Sequence, residues 1–296
     1  MTFSPTVLGH LAMLAFSLFI AGSFSFGTRI AGDMGPVALM ALRFALAGVL
    51  VGALVALGPG VRRADLRAPW RYLVIGGLFA FYFVMMFEGF KTAAPVSAAA
   101  VFTLIPIMTA VFGWWFLGQR TTLWMALALA IGAMGAVWVI FRGDLDAALR
   151  FDIGRGEAIY FIGCIAHAAY TPLIRRLNWG SPPLTFTFGM ILAALVMLLA
   201  LSASDLLSTD FTALSPFFWV SLAYLAVFAS AAAFFLLQFA SLHLPSAKVM
   251  AYTYLTPTWV ILWEAVFGAS LPEPVVWVGV AVTAVALLML LRREDA

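Results

Sequence analysis

The chain has 296 residues, of which 65% are hydrophobic and 10% charged, against roughly 25% charged residues in soluble domains. No water-soluble fold hides that much apolar surface, so the bilayer is the solvent. The formal charge of +3 does not indicate nucleic acid, because the 16 Lys and Arg are scattered between apolar runs rather than gathered in a stripe.

Breaks rich in charge, Gly or Pro divide the chain into ten apolar runs near 6–28, 36–57, 71–90, 94–117, 122–141, 156–174, 183–201, 216–240, 246–268 and 274–291. Each approaches the roughly 20 residues that a helix needs to cross hydrocarbon. Each must be helical, because backbone groups find no water there and the runs lack a barrel strand's alternation. The first run has no basic leader and is longer than a secretory signal core, so it reads as a span.

The second run carries Arg43, and the third ends at Glu88. Another carboxylate, Glu264, lies in the ninth run, and a structural pair of Arg43 with Glu88 or Glu264 is expected, since an unpaired charge in lipid is costly. Phe79, Tyr82 and Met86 form a stripe on the third run, suited to loosely selective binding. Pro106 sits inside the fourth run and Pro257 inside the ninth. Each is expected to kink its helix, either as a gate or as a feature that membrane helices tolerate without such a role.

Small residues on the fifth run (Ala126, Gly132, Gly135) and Gly279 on the tenth suit close helix packing. The sixth run holds Tyr160, Cys164, His167 and Thr171 at one-turn spacing, with Ser17 of the first run as the repeat mate of Cys164. That polar stripe should face the interior. His167 either binds substrate, relays a proton, or bonds a neighbouring helix. As the lone cysteine, Cys164 excludes an internal disulfide and a thiolate metal cluster. Gln238 and Ser241 on the eighth run could reach a cavity. On the ninth, Tyr252, Thr256, Trp259 and Trp263 share a helical face, which either stacks on substrate or, at Trp263, anchors at the interface.

With the N-terminus in the cytoplasm, cytoplasmic segments collect Arg62, Arg63, Arg67, Arg71, Arg120, Arg175, Arg176, Lys248, Arg292 and Arg293. External loops hold Arg29, Lys91, Arg142, Arg150 and Arg155, the last three accompanied by Asp144, Asp146, Asp152 and Glu157. Both termini are therefore expected to be cytoplasmic.

An internal repeat organises the runs. A shift of 147 places Gly9 on Gly156, Arg29 on Arg176 and Pro36 on Pro183. A shift of 151 places Leu104 on Leu255, Pro106 on Pro257 and Phe116 on Phe267, and one of 153 places Trp124 on Trp277. Each half, 1–145 and 146–296, holds five spans, so the second enters the membrane inverted. The fold class is all-α, a ten-helix membrane protein of two inverted five-helix repeats. Such halves rock about a site near the midplane, and a solvent-reachable hollow between them is expected, lined by the first, third, fourth, sixth, eighth and ninth spans.

The stretches FEGFKTAAPVSAAAVFTLIPIMTAVFGWWFLGQ and LQFASLHLPSAKVMAYTYLTPTWVILWEAVFGAS resemble the two copies of the EamA module of the drug/metabolite transporter superfamily. In that pattern a tight turn, small residues, a mid-helix proline and an aromatic-rich run follow one another. The second copy departs from it at Glu264 and at Gly268, one residue early, so the turn there should differ. Within the superfamily the chain is most similar to bacterial exporters of aromatic amino acids. The resemblance implies an inner-membrane secondary transporter of amino acids, large apolar or aromatic ones preferred.

Both carboxylates within spans lie near span ends, which favours facilitated diffusion or exchange over obligate proton antiport. An exporter of cationic drugs, a proton-coupled antiporter and a carrier of phosphorylated or nucleotide sugars are the alternatives within the superfamily. No Gly-rich phosphate loop, HExxH or midplane aspartate pair is present, so no enzymatic activity, metal or cofactor is expected. Fused inverted halves need no partner subunit, and a monomer is expected.

Overall fold

The computed structural model describes residues 4–150 and 153–291. Asp152, Arg292 and Arg293 of the topology argument lie outside them. Among the described residues the chain is helical throughout: α1 Pro5–Ile30, α2 Pro36–Leu57, α3 Trp70–Phe90, α4 Pro95–Leu117, α5 Leu123–Ile140, α6 Arg155–Leu177, α7 Pro183–Ser208, α8 Pro216–His243, α9 Ser246–Val266 and α10 Pro274–Leu291. A short helix, Leu145–Arg150, lies in the link between α5 and α6. All the long helices except α9, which is broken into shorter pieces, are long and apolar enough to cross a membrane.

Start signals explain the boundaries. Pro5, Pro36, Pro95, Pro183, Pro216 and Pro274 each open a helix, where the missing N–H costs nothing. Ser4 and Ser215 cap α1 and α8 by accepting from Val7 N (3.3 Å) and Phe218 N (3.1 Å). Gly118, at φ 64°, ends α4 in the left-handed conformation. The turn after α9 is longer, running from Phe267 to Glu273 with Gly268 at φ 80°.

The expected proline kinks are breaks. α4 divides into Pro95–Phe102 and Ile105–Leu117, and α9 divides around a 3-10 turn at Tyr252–Leu255. In each case the proline sits in the first turn of the following piece, at Pro106 and at Pro257. Proline has no N–H to donate to the preceding turn, so the chain restarts there. α8 contains a π segment, Val227–Ala232.

Repeat mates run antiparallel. Along α2 and α7, Gly35 meets Asp205, Gly48 meets Ile191 and Gly52 meets Phe188. Along α5 and α10, Trp124 Nε1 donates to Met289 O and Trp138 Nε1 to Val275 O, both at 2.8 Å, with Gly135 and Gly279 back to back between them. A helix antiparallel to its own mate makes the second repeat inverted. The small residues read on α5 and α10 serve this crossing.

The halves are interlaced rather than side by side. α1 packs on α8 and α9, while α6 packs on α3 and α4. The sequence matches fall at these seams. Gly9 lies against Leu244 in the turn after α8, and its mate Gly156 lies against Gly89 in the last turn of α3 and Ala93 just beyond it. Arg29 lies over the Phe267 ring at 4.2 Å, and its mate Arg176 donates to the carbonyl of Phe116, the mate of Phe267, at 2.9 Å.

The end of the bundle bearing the N-terminus, called the near end, is laced between the loops after α2 and α6. Asp65 is 2% exposed; it accepts from Arg62 Nη2 (3.1 Å) and Ser181 Oγ (2.6 Å), and Arg62 also donates to Gly180 O (2.7 Å). Burial pushes the Asp65 carboxyl up, but the hydrogen bonds from Arg62 and Ser181 outweigh it and hold the group below its ordinary value. A depressed carboxylate stabilises the fold above its unfolded value, about 4, and that contribution is lost as pH falls through the lower folded value. Asp65→Asn is therefore expected to lower the melting temperature in detergent at neutral pH, by an amount that stays constant from about pH 5 to 8. A difference that vanishes within that range would remove the carboxylate's role.

Candidate substrate site

Midway along α3 and α6 the interior is built of rings. Tyr82 lies 4.5 Å from His167 between ring centroids, 5.9 Å from Phe79 and 4.7 Å from Phe83. Phe79 stacks on Tyr170 at 4.3 Å and meets Phe234 of α8 edge-on at 4.5 Å. Phe102, at the break in α4, faces His167 at 5.7 Å and Phe24 of α1 at the same spacing. The Tyr82 and Tyr160 hydroxyls are 2.9 Å apart. These offset and edge-to-face contacts are the favoured aromatic geometries.

Phe79, Tyr82, Met86 and His167, four of the expected residues, line one central cavity together with Phe16, Ile20, Ser23, Phe24, Phe83, Phe102, Ala229 and Phe234. The cavity is shut. Its free volume is about 10 Å³, at the limit for a single water. The open hollow expected between the halves is thus replaced by an occluded centre, because the rings that line it pack on one another. Wider openings occur at the far end, opposite the N-terminus. One of about 620 Å³ lies between Asp33, Asp205 and Asp210, and one of about 290 Å³ lies between Ser97, Arg142 and Glu273.

The other expected residues surround the cavity without lining it. Tyr160 and Cys164 are fully buried on the far side of His167. Gln238 donates to the Tyr170 hydroxyl (3.3 Å), which donates to Met190 Sδ (3.0 Å), and this closes the interior on the near side. Three residues of the α9 stripe meet α1. Tyr252 OH lies 3.0 Å from His10 Nδ1, and Trp259 Nε1 donates to Ser17 Oγ at 3.2 Å. Trp263 meets Phe26, Tyr224 and Phe267. Thr256 is buried, with its hydroxyl unpartnered among the described residues.

The expected pairing of Arg43 with Glu88 or Glu264 does not occur. Glu264 takes Arg29 in a bidentate pair at 2.8 and 3.0 Å, and Glu88 turns outward to Lys91 at 2.6 Å. Arg43 turns inward instead. It is fully buried, donates from Nε to Ser230 Oγ (2.6 Å) and from Nη2 to Ala229 O (2.8 Å), and lies over the Phe83 ring at 4.1 Å. The π segment of α8 supplies both oxygens.

Phe24, Phe83, Phe102, Tyr170 and Phe234 were not singled out from the sequence. Phe83 and Tyr170 stand one helical turn from Phe79 and His167, and that spacing is the signal that could have found them. Phe102 and Phe234 are brought in by helix breaks and inter-half packing, which leave no local trace.

Ten apolar helices in two inverted sets, closed around an aromatic interior, define a polytopic membrane transporter of small molecules. The chain belongs to the EamA-like transporter family, whose model matches it twice, over residues 7–141 and 154–292. It is 28% identical over 225 residues to the uncharacterized transporter YyaM of Bacillus subtilis (strain 168), covering 75% of this chain and 73% of that protein. It is 34% identical over 119 residues to the aromatic amino acid exporter YddG of Ancylobacter novellus, covering 40% of this chain and 39% of that one. A crystal structure of a protein 21% identical in sequence shares the fold, with a TM-score of 0.74 over 98% of both chains.

Proposed function

We propose that this protein is a secondary transporter that exports amino acids, large apolar or aromatic ones by preference, across the bacterial inner membrane. The observation that carries this reading is the cavity wall, in which rings from α1, α3, α4, α6 and α8 converge on one point. A ring-bearing substrate would replace the ring-to-ring contacts that now shut it, at similar geometry. The partial similarity to an aromatic amino acid exporter supports the same class.

In this reading the units α1–α8–α9 and α6–α3–α4 rock against one another about the cavity. The halves 1–145 and 146–296 are the repeats, and the occluded centre is the state between inward- and outward-facing forms. The breaks at Pro106 and Pro257 give α4 and α9 points at which to flex. The protein works as a monomer without a cofactor, with both termini in the cytoplasm, where the Arg-rich near end lies. None of the described residues lining the cavity is acidic, which favours facilitated diffusion or exchange over proton antiport.

Counterflow in proteoliposomes tests this directly. Preloading with unlabelled phenylalanine or tryptophan should drive saturable uptake of the labelled amino acid, with or without a pH gradient. Uptake that does not saturate, or that ignores preloading, would refute it.

A further inference from the structure

Resting on that reading, we infer that Arg43 is the receptor for the substrate's carboxylate. Three observations carry it. The guanidinium is fully buried, and no carboxylate is bonded to it among the described residues; an ionisable group so placed in a membrane protein faces a pathway or a partner. Its Nη1 is buried without an acceptor among the described residues. Ala229, whose carbonyl holds Nη2, and Phe83, on whose ring the guanidinium lies, are both walls of the central cavity.

Arg71 shows what a structural arginine looks like in the same fold. It is equally buried, but its Nε donates to Ala68 O and its Nη1 to Leu177 O, its guanidinium lies over Trp179 at 4.2 Å, and it leaves no buried nitrogen orphaned. Arg43 keeps one arm of its fork unused and the other on a single backbone carbonyl. A planar carboxylate matches that fork, with two parallel charge-assisted bonds to Nη1 and Nη2.

The carbonyl that would be exchanged lies in the π segment of α8. π segments are one-turn irregularities that recur at functional sites. When the carboxylate takes Nη2, the Ala229 carbonyl is released, so loading the cavity and relaxing α8 become one event. The ring of the substrate lies among Phe79, Tyr82 and Phe234, with its acid end turned past Phe83 toward Arg43. With no acidic residue among the cavity's lining, the amino group is held by ring faces alone. The substrate class is therefore aromatic carboxylic acids, in which the acid is required and the amine contributes little.

Thermal stabilisation of the purified full-length protein in detergent tests this with four probes: phenylalanine, 3-phenylpropionate, phenethylamine and 4-methylpentanoate. The expected result is apparent Kd values for phenylalanine and 3-phenylpropionate within about threefold of each other, and one for phenethylamine at least tenfold weaker. In Arg43→Met the gap between phenylalanine and phenethylamine should close. Phenethylamine matching phenylalanine on the wild type would overturn the assignment and leave the aromatic reading standing; this arm needs no variant to fold. A folded Arg43→Met that keeps the carboxylate preference would overturn it too. Stabilisation by 4-methylpentanoate with none by the three ring compounds would keep Arg43 and refute the aromatic reading. No response to any probe would refute both.

Discussion

Tyr82→Ala is expected to lower counterflow of an aromatic amino acid more than tenfold while the protein still reaches the membrane in normal amount. Tyr82 touches Phe79, Phe83, Phe102, Tyr160 and His167, more partners than any single face-to-face stack allows. Each aromatic pair contributes about 0.5–1.5 kcal/mol beyond its buried area, and about 1.4 kcal/mol is a factor of ten. Losing two such contacts to a bound ring is enough. Tyr82→Phe keeps the ring and removes only the hydroxyl bond to Tyr160, so its transport should stay within about threefold of wild type. Counterflow measured for the pair, normalised to membrane abundance, decides the matter. An alanine variant with wild-type transport would take Tyr82 out of the site. By the same logic Trp259→Ala should matter less, since Trp259 spans the α1–α9 seam and not the cavity.

Gly156→Val should be the most destabilising of the small-residue changes. A Cβ at Gly156 collides with Gly89 O and lies 2.6 Å from Ala93 N, and one at Gly89 lies 2.6 Å from Gly156 O. These are backbone atoms on both sides, so no side chain can swing away. Overpacking of this kind costs about 1–3 kcal/mol, and here it forces α6 away from α3. A melting temperature about 5 °C or more below wild type in detergent is expected. Gly9, its mate, faces side chains alone, Leu244 at 3.2 Å and His243 at 3.7 Å, and Gly9→Val should cost markedly less. Equal effects at the two positions would contradict the asymmetry drawn from the two seams.

Much of the architecture was legible because lipid allows few alternatives. Apolar length gave the ten spans, and the matches Gly9 to Gly156, Arg29 to Arg176 and Phe116 to Phe267 gave the repeat. These residues recur because each sits where one half touches the other. The interlacing itself was not legible, since it depends on which half each seam residue meets. The helix restarts at Pro106 and Pro257 were visible as prolines but not as breaks. The 3-10 turn at Tyr252–Leu255 interrupts the wheel that aligns Tyr252, Thr256, Trp259 and Trp263, and Tyr252, Trp259 and Trp263 meet α1 rather than the cavity.

The centre was half legible. Phe79, Tyr82, Met86 and His167 stand out by helical spacing, whereas Phe24, Phe102 and Phe234 reach it from helices whose apolar composition makes an inward-facing ring look like a lipid-facing one. Arg43 was misassigned for an instructive reason. Pairing each intramembrane charge with its opposite assumes that side chains supply all the partners, but the π segment of α8 exposes a carbonyl and a serine that serve instead.

Alternating motion of the two interlaced units is the claim from which the rest follows, and paired spin labels at the two ends test it most directly. Asp33 and Lys91 report on the far end; Trp179 and His243, near their repeat mates, report on the near end, and all four are exposed. Adding substrate to the doubly labelled proteins should lengthen the distance at one end and shorten it at the other. Distances that stay fixed at both ends, or that move in the same direction, would contradict the account.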